Sequence, residues 1–219
     1  MQTSYFIVGT DTNVGKTYVA SALVKHFVAS GYQTVGMKPI ASGCQLVNGE
    51  LFNDDVLTLS NASNVTAPLD LINPYRFAAA IAPHIAAEQA GQVVNCQKIL
   101  QAYDALAKLA EVVIVEGAGG FLVPLNQQQT LADFAVMLDI PMILVVGMRL
   151  GCINHALLTV EAIKARGLKL AGWVANQVEP DMPVYAENLA SLQQRIAAPC
   201  ISVVGWQAEA SFNIQAAID

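Results

Sequence analysis

Short, unbroken apolar runs alternate with longer stretches of helical period along most of the chain. Runs of strand length fall at residues 5–9, 34–39, 112–116, 142–147, 170–176 and 201–204. Stretches of helical character fall at residues 16–30, 96–109, 130–138, 154–166 and 184–196. A strand wetted on one face alternates apolar and polar side chains, whereas Val112, Val113, Ile114 and Val115 are β-branched throughout. Such runs predict an α/β fold: a mostly parallel sheet flanked by helices on both faces. Gly31 and Gly167 follow two of the helical stretches, where glycine commonly ends a helix. Residues 46–91 are less regular, because Asn73-Pro74 and Ala82-Pro83 interrupt any long helix there. With no linker, low-complexity tract or internal repeat, residues 1–219 read as one domain.

Composition narrows the partners. Hydrophobic residues make up 54% of the 219 and charged residues only 13%, so much of the chain is buried on two sides or at a subunit interface. A net charge of −6 argues against a nucleic-acid partner, which needs a basic face. An anionic ligand then requires a local positive site. Met1–Ser4 carries no basic leader segment, and the densest apolar stretch, residues 140–148, is about half a membrane span and contains Pro141 and Gly147. A cytoplasmic location without a membrane partner is expected. Cys44, Cys96, Cys152 and Cys200 are scattered, without C-x-x-C or metal-ligand spacing to His, as reduced thiols would be.

The chemistry begins at Gly9–Thr17, which reads G-T-D-T-N-V-G-K-T between a strand and a helix. That context suits a Walker A phosphate cradle and a P-loop NTPase-like fold, although Gly9 lies one position earlier than the usual spacing. Gly15 lets backbone N–H groups approach phosphate, Lys16 reaches the β/γ-phosphates and the Thr17 hydroxyl suits Mg²⁺. In a parallel sheet, ligands sit beyond the carboxyl ends of the strands. The polar residues there are Thr12, Lys16 and Thr17, then Lys38 and Ser42, then Glu116 with Gly117, Gly119 and Gly120, then Asn176. Glu116 and Asp55 are candidate carboxylates for Mg²⁺, with Asp54 as the alternative to Asp55 and helix capping as the plain alternative for the pair. Lys38 is either a second cation for phosphoryl transfer or a solvated lysine. The Asn176 amide suits the N6/N7 edge of adenine. Gly151–Asn154 reads either as a capped helix start or as a carboxylate site. His84 and His155 read as structural.

In order, G-T-D-T-N-V-G-K-T, K-P-I-A-S-G, N-D-D, N-P-Y with a later P-H-I, V-E-G-A-G-G, L-V-V-G-M-R-L-G-C-I-N-H and A-G-W-V-A-N together resemble the dethiobiotin synthetase family, over about residues 6–177. The resemblance implies a homodimeric, Mg²⁺-dependent cyclo-ligase of biotin biosynthesis. It would convert 7,8-diaminopelargonate, CO₂ and ATP to dethiobiotin, ADP and phosphate through a carbamate and a carbamic–phosphoric anhydride. It further implies catalytic roles for Lys16, Lys38 and Thr12, with Ser42 beside Thr12 on the carbamate. The far carboxylate of the substrate would rest on Gly151, Cys152, Ile153 and Asn154 of the other subunit. ATP would be held by Asn13, Val14, Gly15, Lys16, Thr17, Tyr18, Asp55, Glu116, Gly117, Ala118, Gly119, Asn176 and Gln177. Gly205, Trp206 and Gln207 would close over the adenine, and Thr17, Asp55 and Glu116 would hold the metal.

Two positions depart from the family. Asn13 stands where it usually has Glu, and a tyrosine it commonly carries is absent at Asn188, with Tyr185 one helical turn earlier. Two other P-loop classes compete. An ATPase switch commonly carries a lysine where Asp11 stands, and an amidotransferase-type ligase needs an ammonia source. Changing Lys16 or Lys38 to Ala is expected to leave folding intact and to slow turnover.

Overall fold

A computed structural model of the chain describes residues 3–214. β1 (Thr3–Gly9) leads through the glycine-containing loop into α1 (Lys16–Ala29) and then β2 (Thr34–Met37). Short elements follow: β3 (Ile40–Ser42), β4 (Gln45–Val47), β5 (Glu50–Phe52), α2 (Asp54–Ala62), α3 (Leu69–Ile72), β6 (Tyr75–Phe77) and α4 (Pro83–Gln89). The remainder alternates: α5 (Cys96–Leu106), β7 (Val112–Glu116), α6 (Leu131–Leu138), β8 (Met142–Met148), α7 (Cys152–Ala165), β9 (Leu170–Gln177), α8 (Tyr185–Arg195) and β10 (Cys200–Val204).

Six strands form one sheet in the order β10-β9-β8-β1-β7-β2, and every neighbouring pair is parallel. Successive side chains leave a strand on opposite faces. Phe6 and Val8 of β1 join Val113 and Val115 of β7 in one core cluster, packed with Ile99, Phe134 and Ala156 from α5, α6 and α7. Tyr5 and Ile7 join Val112 and Ile114 in a second cluster, packed with Val19, Leu23 and Phe27 of α1. Helices on both faces account for the long apolar runs of the strands, the parallel sheet flanked by helices that those runs predict. No helix among the described residues is long and apolar enough to cross a membrane. Met1 and Gln2, part of the segment read for a leader, lie outside the described residues.

The differences from the pattern-based reading are local. β2 stops at Met37 and not at Pro39, since proline has no N–H to continue a ladder. α5 ends at Leu106, and α7 begins two residues earlier than the pattern suggests, at Cys152. The irregular stretch holds six elements, β4 to α4. Asn48 and Gly49 both have positive φ (53° and 87°) and turn the β4–β5 hairpin, as an Asn-Gly pair does in a tight two-residue loop. Pro83 opens α4 at its first helical position, where the missing N–H costs nothing.

α6 starts in a capping box. The Thr130 backbone N–H donates to Asp133 Oδ2 at 2.7 Å, and Asp133 N–H donates to Thr130 Oγ1 at 3.4 Å. Hydrogen bonds from the Thr130 side chain and backbone hold the Asp133 carboxyl below its ordinary value. A lowered folded-state value stabilises above the unfolded pKa, and the effect is lost as pH falls through the folded one. Thr130→Ala is therefore expected to cost about 1 kcal/mol at pH 7. Urea denaturation should show that difference narrowing in acid.

Candidate active site

The loop between β1 and α1 is shaped by two residues of positive φ, Asn13 at 58° and Gly15 at 87°. Gly15 caps α1 with no side-chain bond, so the first N–H groups of the helix stay available to an anion. Only glycine suits the position: a Cβ there would lie 2.2 Å from Asn176 Nδ2. The same Asn176 amide donates to the Val14 carbonyl at 2.9 Å, so the end of β9 supports the loop from beneath. Val14 itself is buried and anchors the loop in the core. Asp11 braces the near side. Its carboxylate accepts from Thr12 N–H and from Arg149 Nη2, and its carbonyl accepts from Lys16 Nζ, each at 2.7 Å.

Charge gathers below the loop. Lys38 Nζ donates to Glu116 Oε1 at 2.5 Å and faces Asp55 Oδ2 at 3.0 Å. Glu116, with 1% exposure, also accepts from Thr17 Oγ1 at 2.7 Å. Burial works against the Lys38 ammonium, but Glu116 and Asp55 outweigh it and raise its pKa. Lys16 has no such carboxylate contact. Burial pushes it down to about 8, with the Lys38 charge acting in the same direction and Glu116, Asp11 and Asp55 opposing. Asp55 meets a burial penalty of its own, which Lys38 and Thr17 reverse, leaving its pKa lowered.

These contacts resolve the alternatives open in the sequence. Lys38 is buried and paired, not solvated. Asp55, not Asp54, faces the lysine, because Asn53 takes the cap of α2 and sets the helix phase. Neither aspartate is the cap. Beside the slower turnover expected on removing Lys38, a cost in stability is now expected as well, since the Glu116 carboxylate would be left buried without its cation.

A cleft of about 690 Å³ opens over this cluster. Thr12, Lys16, Lys38, Ser42, Asp55 and Glu116 line it, together with Ala118 and Gly119. Ser42 Oγ and Glu116 Oε2 are buried there with no hydrogen-bond partner among the described residues. A second cleft of about 440 Å³ shares Asn13 and Gly15 with the first and continues past Tyr18, Asn176 and Gln177 to Gly205, Trp206 and Gln207. The two clefts thus meet across the loop. Gly117 lines neither; a Cβ there would meet Leu131 Cδ2 at 2.9 Å, so it is a packing position. Gly151, Cys152, Ile153 and Asn154 form the start of α7 and line neither cleft of their own chain.

Three supports escape a reading based on strand ends. Asn73 is fully buried, and its Nδ2 donates to the Lys38 carbonyl and to Tyr75 O, at 2.5 and 3.1 Å. Arg149 braces Asp11, and residues 80–83 wall the larger cleft opposite Lys16 and Thr17. N-P-Y and M-R-L-G carried the first two signals, without a role attached.

No group of three or more His, Cys, Asp or Glu gathers as a metal site among the described residues. The cation candidates reduce to Thr17, Asp55 and Glu116. Their hard oxygens, and the unpartnered Oε2 of Glu116, suit Mg²⁺ beside a phosphate.

The family described as an AAA domain matches residues 3–212. The ATP-dependent dethiobiotin synthetase BioD of Aromatoleum aromaticum is 50% identical over 201 residues, covering 92% of this chain and 89% of that protein. Proteins of the same name in Nitrosospira multiformis and Chromohalobacter salexigens are 50% and 45% identical, covering 94% and 98% of this chain and 89% and 94% of theirs. Among solved structures, the septum site-determining protein MinD of Pyrococcus horikoshii, complexed with Mg-ADP, superposes with a TM-score of 0.58 at 16% identity. It covers 94% of this chain and 82% of that one. The signal recognition particle receptor FtsY of Elizabethkingia anophelis, in complex with GDP, gives 0.57 at 15%, covering 100% of this chain and 63% of that one. At such identities the structural likeness concerns the fold alone.

Lys38→Met is expected to destabilise the protein by about 3–5 kcal/mol, the size seen when one partner of a buried ion pair is removed. Urea denaturation of Lys38→Met/Glu116→Leu should recover most of that loss, because the second change removes the stranded charge.

Proposed function

The chain belongs to the ATP-dependent dethiobiotin synthetase family, and from that premise we propose that it carboxylates 7,8-diaminopelargonate and closes the ring to dethiobiotin, a step of biotin biosynthesis. The observation carrying the reading is the convergence of Lys16, Lys38, Asp55, Glu116 and the unpartnered Ser42 Oγ in one cleft beside the phosphate loop.

The steps balance with this chain's own groups. One amine of the substrate adds to CO₂ and loses a proton, giving a carbamate. Thr12 and Ser42, both on the cleft wall, donate to its oxygens. The carbamate oxygen then attacks the terminal phosphorus of ATP, and the bond to ADP breaks. Lys16 and Lys38 offset the charge that accumulates on the phosphoryl group. The second amine attacks the carbonyl carbon of the anhydride, the C–O bond to phosphate breaks, and the departing phosphate takes up the amine's proton as the five-membered ring closes. Alignment of three reactants supplies much of the rate. Thr17, Asp55 and Glu116 would hold Mg²⁺, which when bound neutralises phosphate oxygens.

The smaller cleft suits the adenine. Asn176 presents its amide there, and Trp206 offers an indole for stacking. The remaining contact needs a second copy of the chain. Leu150, beside the start of α7, is 97% exposed, and Leu122 and Leu158 are exposed as well, an apolar set suited to burial in a homodimer. The dimer would bring the partner's α7 start to the far carboxylate of the substrate. The Tyr185 hydroxyl, buried with no hydrogen-bond partner among the described residues and close enough to Cys152 at the α7 start to feel it electrostatically, would support that end. A cytoplasmic enzyme acting as one domain is consistent with four free cysteines.

Purified protein incubated with the diamine, bicarbonate, Mg²⁺ and ATP should form dethiobiotin; folded protein giving no more than an enzyme-free control overturns the proposal. Lys16→Ala should lower kcat at least a few tens-fold, or about 2–4 kcal/mol of transition-state stabilisation. Leu150→Glu should shift the dimer to monomer in analytical ultracentrifugation and abolish turnover while ADP still binds.

A further inference from the structure

The first turn of α1 carries a side chain that the chemistry above does not use. Tyr18 Oη donates to the Ala208 carbonyl at 2.6 Å and accepts from the Ala210 N–H at 3.0 Å. Tyr18 stands two residues after Lys16, so these bonds join the phosphate loop's own helix to a segment about 190 residues away. We propose that Tyr18 is a positioning residue for nucleotide recognition. Its phenol fixes the 205–210 loop as the outer wall of the base cleft and makes that wall rigid with the phosphate cradle.

The loop depends on such a tie. Residues 205–210 lie in no helix or strand, and Gln207 sits at a φ of 52°. The backbone bond within the loop is Ala208 N–H to the Gly205 carbonyl, at 3.1 Å. Beyond the loop the chain is anchored again. Phe212 meets His26 of α1 edge-on with centroids 6.0 Å apart, and Asn213 N–H donates to the Ile201 carbonyl at 2.9 Å. Between β10 and Phe212, Ala210 packs against the core cluster that includes α1, and Tyr18 bonds the stretch at two points, the Ala208 carbonyl and the Ala210 N–H. Trp206, Gln207, Ala208 and Glu209 of this stretch line the cleft beside the Tyr18 ring. Since the phenol bonds the loop as donor and as acceptor, Tyr18 acts on the ligand through the loop. This refines its expected place among the ATP contacts.

Chain that is already ordered loses less entropy when a ligand binds against it. Removing the tie should weaken binding of the base and spare binding of the phosphates. The inference rests on the smaller cleft being the base site.

Tyr18→Phe tests it, because the ring and the helix are kept and both bonds are lost. Intrinsic fluorescence reports on the loop directly: Trp173 is fully buried, whereas Trp206 is 43% exposed in the cleft. ADP should alter wild-type emission, and the response should vanish in Trp206→Phe. Tyr18→Phe should make Trp206 more accessible to acrylamide and raise the Kd for ADP and the KM for ATP about five- to tenfold, the size expected of two exposed hydrogen bonds. The KM for the diamine and the inhibition constant of tripolyphosphate, which has no base, should move less than about twofold. Equal weakening of ADP and tripolyphosphate overturns the inference, because the change then lies in the phosphate loop. An unchanged Kd for ADP with a normal wild-type Trp206 response overturns the tether alone. A wild-type Trp206 signal indifferent to ADP overturns the base-site reading and the tether with it.

Discussion

A carboxylate with almost no exposure and an ammonium nearly as deep face each other at the floor of the larger cleft. Burying either ion without the other would be unfavourable, because desolvation of an isolated charge costs several kcal/mol. Each makes the other admissible, and Asp55 and Thr17 complete the set. The fold carries this pair to its place: Glu116 ends β7, and Lys38 follows β2, its immediate neighbour in the sheet. Asn73 clasps the Lys38 carbonyl from behind, so the lysine is held through both its backbone and its head group. Residual negative charge on the two carboxylates and an orphaned oxygen leave the floor suited to a cation, while Lys16 above it suits an anion.

The phosphate loop has a similar economy. Its internal hydrogen bonds converge on Asp11, and neighbours at the ends of β8 and β9 hold the rest of its shape. Arg149 braces Asp11, Asn176 bonds the Val14 carbonyl, and Val14 itself plugs the core. Backbone N–H groups of the helix start are thereby left free without the loop collapsing onto them. Binding capacity and structural support are divided between different parts of the chain.

Much of this is legible in the sequence, for an identifiable reason. The strands of the main sheet carry long apolar runs because both faces are covered, so β1, β7 and β8 stand out by hydropathy alone. The short elements between residues 40 and 89 do not. β3 and β6 have three residues each and exist by pairing with one another, a contact that local pattern does not encode. Within the site, Lys16, Lys38 and Glu116 are visible because each lies at or just beyond the carboxyl end of a strand. Asp55 and Asp54 were not separable, since the choice rests on Asn53 capping α2. The part of Asn73 was hidden for a different cause: its partner is a backbone carbonyl, which has no signature in sequence. The placing of Gly151–Asn154 away from their own cleft likewise follows from tertiary geometry; the pattern offers a capped helix start or a carboxylate site, and the family resemblance alone says whose carboxylate and which subunit.

The strand order has a consequence for biosynthesis on the ribosome. β1 is made first, yet its two neighbours in the sheet are β7 and β8, which emerge more than a hundred residues later. Until then an apolar strand with two open edges has no native partner, a state that invites aberrant pairing between nascent chains. Vectorial synthesis therefore delivers the nucleotide-binding sequence early and its scaffold late, and the nascent amino-terminal third must be shielded until the middle of the polypeptide arrives.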